Sequence, residues 1–166
     1  MDYKLIIFDV DGTLGDPPEL DRNSPQPRRD HARFRKTPDD WQLFPGRKER
    51  LAALQADGIK TCFATNQGGI AFGYLDAKEM MLWLYNLSFE LGTEGNQVCF
   101  THPDGKIEQY RKKDYDRKPY PGMLFKAMAH HFVLPCETLF VGDRSDDEQA
   151  AQNAGVAFMW ADEFFK

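Results

Sequence analysis

Residues 4–13 read KLIIFDVDGT: Lys4, the apolar run Leu5, Ile6, Ile7 and Phe8, then Asp9, Val10, Asp11, Gly12 and Thr13. A short, nearly continuous apolar run is what a strand buried on both faces needs, because alternate side chains leave on opposite sides and neither side meets water. The run stops on two acids, and period-two alternation directs Asp9 and Asp11 to the same side as the chain leaves the sheet. Carboxylates so close repel one another. A divalent cation, which takes carboxylate and carbonyl oxygens, makes such a pair tolerable. Gly12 allows a tight turn, and the Thr13 hydroxyl is placed to hold it.

Outward from this segment, similar strand-like runs recur at 59–65, 97–101, 138–141 and 156–160. Helical patterns alternate with them. Residues 46–57 follow Pro45 and end at Gly58; Asp76 opens the next helix with Glu79 three residues on, and Gly92 closes it; residues 121–132 and 146–154 complete the set, the last followed by Gly155. Strands alternating with helices predict an α/β fold: a three-layer Rossmann-like sandwich on a mainly parallel five-stranded sheet with right-handed crossovers. At 166 residues, with 42% hydrophobic and 28% charged residues, the chain fits one domain with a sizeable core. The long stretch 15–44, rich in Pro, Arg and Asp, is too long for an ordinary connection and reads as a functional flap or an irregular segment.

No apolar run approaches the roughly 18 residues of a membrane span, and residues 1–4 lead into the first strand without a leader's cleavage site. Three widely spaced cysteines, Cys62, Cys99 and Cys136, do not form a disulfide framework and fit a reducing compartment. A soluble, cytoplasmic protein, a monomer or weak homodimer, is therefore expected. The net charge of −5 argues against a surface built throughout for nucleic acid. Its distribution is uneven. Arg22 to Lys36 holds six basic residues against Asp30, and Gly105 to Lys118 six against Glu108, Asp114 and Asp116. Each island is either a localised anion site or a solvated loop.

In open parallel sheets ligands gather outside the carboxyl ends of the strands. After the second expected strand come Thr65, Asn66, Gln67, Gly68 and Gly69, a hydroxyl, amides and flexible backbone able to present donors to phosphate oxygens. Arg117 and Lys118 precede a helix whose N-terminus opens near Pro121, a cationic pair suited to neutralising a phosphate. After the fourth strand, Gly142-Asp143-Arg144-Ser145-Asp146-Asp147 brings a further acid, Asp143, to the same edge. An acidic cation site beside a hydroxyl and a lysine suits phosphoryl transfer.

The strings FDVDGT, ATNQGG, RKPYPGM and VGDRSDD, in that order over residues 8–147, resemble the four motifs of the haloacid dehalogenase (HAD) superfamily of phosphohydrolases. Their wording is similar to the subfamily IIIA branch, which holds histidinol-phosphate and heptose-bisphosphate phosphatases and polynucleotide 3′-phosphatase domains. The resemblance implies a HAD-like domain over residues 1–166; Ile70 to Thr101, with only one expected helix and one strand, leaves no room for a large cap. It implies Asp9 as nucleophile forming an aspartyl-phosphate and Asp11 as general acid, then base. Thr65 and Lys118 would hold the transferring phosphoryl group, with Asn66 and Arg117 on the substrate. Asp9, Asp143 and the Asp11 carbonyl would surround Mg2+, with Asp147 in the outer shell. Some relatives carry a zinc loop before the third motif; here Cys99, Phe100, Thr101, His102 and Pro103 are not followed by a cysteine pair, so zinc is not expected.

The first expectation for substrate is a small phosphorylated metabolite, such as a sugar phosphate or histidinol phosphate. A nucleic-acid 3′ end is the second, in view of the basic segments and Asp40-Trp41. A non-catalytic phosphate-binding protein on the same fold is the third. Met80 to Tyr85 reads as a helix's core face, with exposure of both Trp83 and Tyr85 favouring a partner surface instead.

Overall fold

The computed structural model describes residues 3–17 and 37–166. Strand β1 (Leu5–Phe8) is followed by a short antiparallel pair, β2 (Gly15–Asp16) and β3 (Gln42–Leu43), then α1 (Arg47–Ala56) and β4 (Lys60–Asn66). Next come α2 (Ala77–Leu91), β5 (Gln97–Cys99), α3 (Gly122–His131), β6 (Thr138–Gly142), α4 (Ser145–Ala154), β7 (Ala157–Trp160) and α5 (Ala161–Phe164). The five strands outside the β2–β3 pair form one sheet in the order β5-β4-β1-β6-β7, with every neighbouring pair parallel.

The period-two reading of residues 4–10 explains the three layers. Leu5 and Ile7 pack on one side with Met123, Leu124, Ala127, Ala150 and Ala151 of α3 and α4. Ile6 and Phe8 pack on the other with Leu51, Leu54, Met80 and Leu84 of α1 and α2. All four are buried, which at about 1.5–3 kcal/mol for each large apolar side chain makes β1 a principal source of cohesion. Because α1 and α4 lie on opposite faces, the connection direction reverses between β1 and β6. That switch point opens a crevice at their carboxyl ends.

Helix ends follow the expected punctuation. The Asp76 carboxylate accepts the backbone N–H groups of Lys78 and Glu79 at 2.8 and 3.0 Å, and Gly92 and Gly155 take the left-handed conformation that stops α2 and α4. Pro121 caps α3 rather than starting it. Two features differ from expectation. The stretch 15–44 is not wholly irregular, since Gly15–Asp16 pairs with Gln42–Leu43, although 18–36, with the basic run Arg22 to Lys36, lies outside the described residues. Strands of two residues are too short to show periodicity. Helix α5 was likewise too short to read; its Phe164 and the following Phe165 cover Phe8, with Arg47 over the Phe165 ring. Only α2 stands between β4 and β5, leaving no cap there. Trp83 packs edge-on against Trp41, while Tyr85 is exposed, so only half of the partner-surface condition is met. No helix among the described residues is long and apolar enough to cross a membrane.

At the end of α3 the His131 ring is buried and donates from Nε2 to the Glu94 carbonyl at 2.9 Å. Burial, with His130 and Lys60 nearby, holds His131 below the ordinary histidine value despite that bond. The unfolded chain therefore binds a proton that the folded chain resists. Stability falls as pH drops below about 6.5 and is restored above it. The expected outcome for His131→Gln, which keeps an N–H donor, is a melting temperature that declines less between pH 7.5 and 5.5 than the parent's, read by differential scanning calorimetry.

Candidate active site

Asp9 leaves β1 buried, its backbone N–H donating to Val141 O at 2.9 Å, so the sheet ladder itself sets its position. Above it lies Lys118, 3% exposed, whose ammonium donates to Asp9 Oδ1 at 2.5 Å, Asp147 Oδ1 at 2.6 Å and the Ala64 carbonyl at 2.9 Å. Its three hydrogens thus meet three acceptors, the condition for keeping a buried ammonium charged. Burial disfavours the Lys118 charge, yet Asp147 and Asp9 outweigh it and hold Lys118 above the ordinary lysine range.

Asp147 stands in the first turn of α4 and is almost fully buried. Its Oδ2 accepts the backbone N–H groups of Asp143 and Arg144 at 3.2 and 3.1 Å. Both its oxygens are therefore engaged. Asn66 grips Lys118 from below, donating from Nδ2 to the Lys118 carbonyl at 3.0 Å and accepting the Lys118 N–H at 3.1 Å. Its amide thus anchors the lysine's backbone. Arg117 donates to the Thr101 carbonyl at 2.9 Å and passes beside Gly68. Thr65 is buried at the end of β4.

Carboxylate oxygens of Asp9, Asp143 and Asp147 lie within 4.8 Å of one another. Burial pushes the Asp9 carboxyl up to about 8; Lys118 pulls it down, and Asp147 and Asp143 add to the rise. Further positive charge between Asp9 and Asp143 would bring it back down, so the donor set suits a hard divalent cation. Gly12, at φ 92°, gives the Asp143 carboxylate its place: a Cβ there would overlap it. The Asp11 side chain is not in this trio. The half-exposed Arg144 sits beside the same acids; partial desolvation opposes its charge, but Asp9 and Asp143 outweigh it and hold the guanidinium above its ordinary value.

Asp11 instead turns toward β4. Gln67 donates from Nε2 to Asp11 Oδ2 at 2.7 Å and to Thr65 Oγ1 at 2.9 Å, and the Trp41 indole N–H donates to Asp11 Oδ1 at 3.1 Å. In the sequence Gln67 stands out only among the donors after β4 and Trp41 only in the Asp40-Trp41 pair, neither as a partner of Asp11. Alternation from Thr65 could have placed Gln67 beside it, but Trp41 lies 30 residues from Asp11 with no local signal. The Thr13 hydroxyl, expected to hold the turn, is buried without a hydrogen-bond partner among the described residues. Backbone bonds hold the turn instead, Gly12 N–H to Gly15 O and Leu14 N–H to Val10 O, with Arg47 Nε on the Thr13 carbonyl. In the loop before Arg117, Cys99 Sγ lies 3.1 Å from Thr101 Oγ1, and His102 Nδ1 accepts the Asp104 N–H.

A parallel sheet with an acid after β1, another after β6 and a lysine between them defines a phosphatase of the HAD superfamily. The chain belongs to the polynucleotide kinase 3 phosphatase family, whose sequence model matches residues 4–165. It is also 32% identical to the D-glycero-beta-D-manno-heptose-1,7-bisphosphate 7-phosphatase of Haemophilus ducreyi, over 94% of this chain and 81% of that one. With the enzyme of that name from Escherichia coli K12 it shares 32% identity over 71% of this chain and 64% of the other. Among solved structures, the D,D-heptose 1.7-bisphosphate phosphatase from B. bronchiseptica, complexed with magnesium and phosphate, superposes with a TM-score of 0.74. The two are 29% identical, over 93% of this chain and 78% of that one.

Replacing Lys118 by Met leaves two buried carboxylates facing each other. Lys118→Met is expected to lose about 3–5 kcal/mol of stability at pH 7, measured by urea unfolding. The deficit should shrink at lower pH, because a protonated carboxyl no longer needs the cation.

Proposed function

We propose that the chain hydrolyses the phosphomonoester of a small phosphorylated metabolite, a sugar phosphate foremost, through an aspartyl-phosphate on Asp9. The observation that carries this reading is the buried Asp9 carboxylate paired at 2.5 Å with Lys118 at the sheet's switch point. The phosphatase relatives support it and set aside the non-catalytic alternative.

Asp9 Oδ attacks phosphorus while the ester P–O bond breaks. The departing oxygen takes the electron pair and a proton from Asp11, giving the alcohol and the aspartyl-phosphate. Asp11, now a carboxylate, takes a proton from water as its oxygen bonds to phosphorus; the P–O bond to Asp9 breaks, releasing phosphate and restoring both acids. Lys118 offsets charge on the transferring group, and the Thr65 hydroxyl orients it. Asp9, Asp143 and the Asp11 carbonyl would hold Mg2+, which when bound would supply positive charge for the phosphoryl oxygens and offset the repulsion between the two acids. Asp147 fixes Lys118 and the Asp143 backbone, and Arg117 stands at the substrate's edge.

One observation favours a second substrate, a polynucleotide 3′ end: the family whose model spans 4–165 carries that activity in its name. Phosphate release measured with Mg2+ and with EDTA, over sugar phosphates, histidinol phosphate, nucleotides and a 3′-phosphorylated oligonucleotide, separates the two. We expect Mg2+-dependent release, highest on a sugar phosphate, and none above background from Asp9→Asn with an unchanged circular dichroism spectrum. Preference for the oligonucleotide, steeply weakened by salt, selects the second reading. Turnover by Asp9→Asn at the parent's rate overturns the nucleophile assignment.

A further inference from the structure

We propose that Trp41 and Gln67 are positioning residues that aim Asp11 at the leaving group. The inference rests on the reading of Asp11 as the acid and base. Each oxygen of the Asp11 carboxyl group accepts an N–H from a different residue, Oδ1 from Trp41 at 3.1 Å and Oδ2 from Gln67 at 2.7 Å. Two donors on two oxygens fix the plane of the group, whereas a single donor leaves it free to rotate. Neither donor competes for the transferred proton, since an indole N–H and an amide NH2 have no acceptor on that nitrogen.

The same Gln67 nitrogen donates to Thr65 Oγ1 at 2.9 Å. One amide therefore ties the proton donor to the hydroxyl that meets the phosphoryl group, and sets the distance between proton and phosphorus chemistry. Trp41 is itself held on two sides. Its ring meets Trp83 of α2 edge-on, with centroids 5.1 Å apart, and it lies across Gly15, where any Cβ would overlap the indole. The β2–β3 pair thus becomes the brace that brings a residue distant in sequence onto Asp11. Displacing a reacting group by an ångström costs large factors in rate, so such a brace has a kinetic signature.

Leaving-group dependence provides that signature. A p-nitrophenolate departs without a proton, whereas a sugar alkoxide does not; kcat/KM reports the step in which the ester bond breaks. Trp41→Phe keeps a ring against Trp83 and removes the N–H; Gln67→Met keeps the length and removes both amide bonds. We expect each to lower kcat/KM about tenfold more on a sugar phosphate than on p-nitrophenyl phosphate, with Trp41→Phe, which leaves the Gln67–Thr65 bond in place, losing less than about threefold on the latter. Asp11→Asn serves as reference, with a larger loss of the same pattern. Equal losses on both substrates, or none, in the two variants while Asp11→Asn keeps its pattern overturn the positioning role alone. An Asp11→Asn variant that loses equally on both overturns the acid reading on which it rests. Should Trp41→Phe fail to fold, Gln67→Met decides by the same ratio.

Discussion

The Lys118 ammonium is the interaction on which the rest of the cleft depends. A buried cation is tolerated only when every hydrogen finds an acceptor, and here the three acceptors come from β1, β4 and α4. Each acceptor is held by something else. Asp9 belongs to the β1–β6 ladder, and Asp147 caps its own helix through the Asp143 and Arg144 amides. Asn66 closes the circuit by holding the lysine's backbone. The arrangement of the acids is therefore a property of four elements at once, and Asp143 reaches its place because Asp147 directs the chain that carries it.

Much of this was legible in residues 4–13. An apolar run of that length suits a strand covered on both faces, and in the structure its alternation sends Leu5 and Ile7 to one core, Ile6 and Phe8 to the other. Asp9, Lys118 and Asp143 stand out because they follow strands or precede a helix, where backbone direction governs side-chain direction, whereas Asp147 is marked only by the family resemblance. What escaped was long-range pairing without a local pattern. Nothing near Trp41 announces a partner 30 residues away, and an asparagine beside a threonine reads equally well as a ligand donor or as an anchor for another loop. The two-residue strands β2 and β3 lie below any period that a sequence can display.

The cleft divides into two hydrogen-bonded sets. One gathers Asp9, Lys118, Asp147 and Asp143 around charge; the other gathers Asp11, Gln67, Thr65 and Trp41 through neutral donors. The first set is built on charge; the second holds one carboxyl group, Asp11, between donors that do not ionise. In the proposed mechanism such a division separates stabilisation of phosphoryl charge from control of a proton. It leaves substrate choice to the rim, where relatives of one fold diverge most readily.

The strand that comes first in this chain is also the one at the centre of the sheet, and its second neighbour is Thr138–Gly142. Leu5 and its partner Thr138 are about 130 residues apart. At roughly 5–20 residues per second of translation, one edge of this apolar strand would wait about 7–26 s for β6. Through that interval the edge is a template for any other extended chain. A newborn copy thus has a window of vulnerability set by topology alone, one that faster elongation or a holding chaperone would shorten or cover.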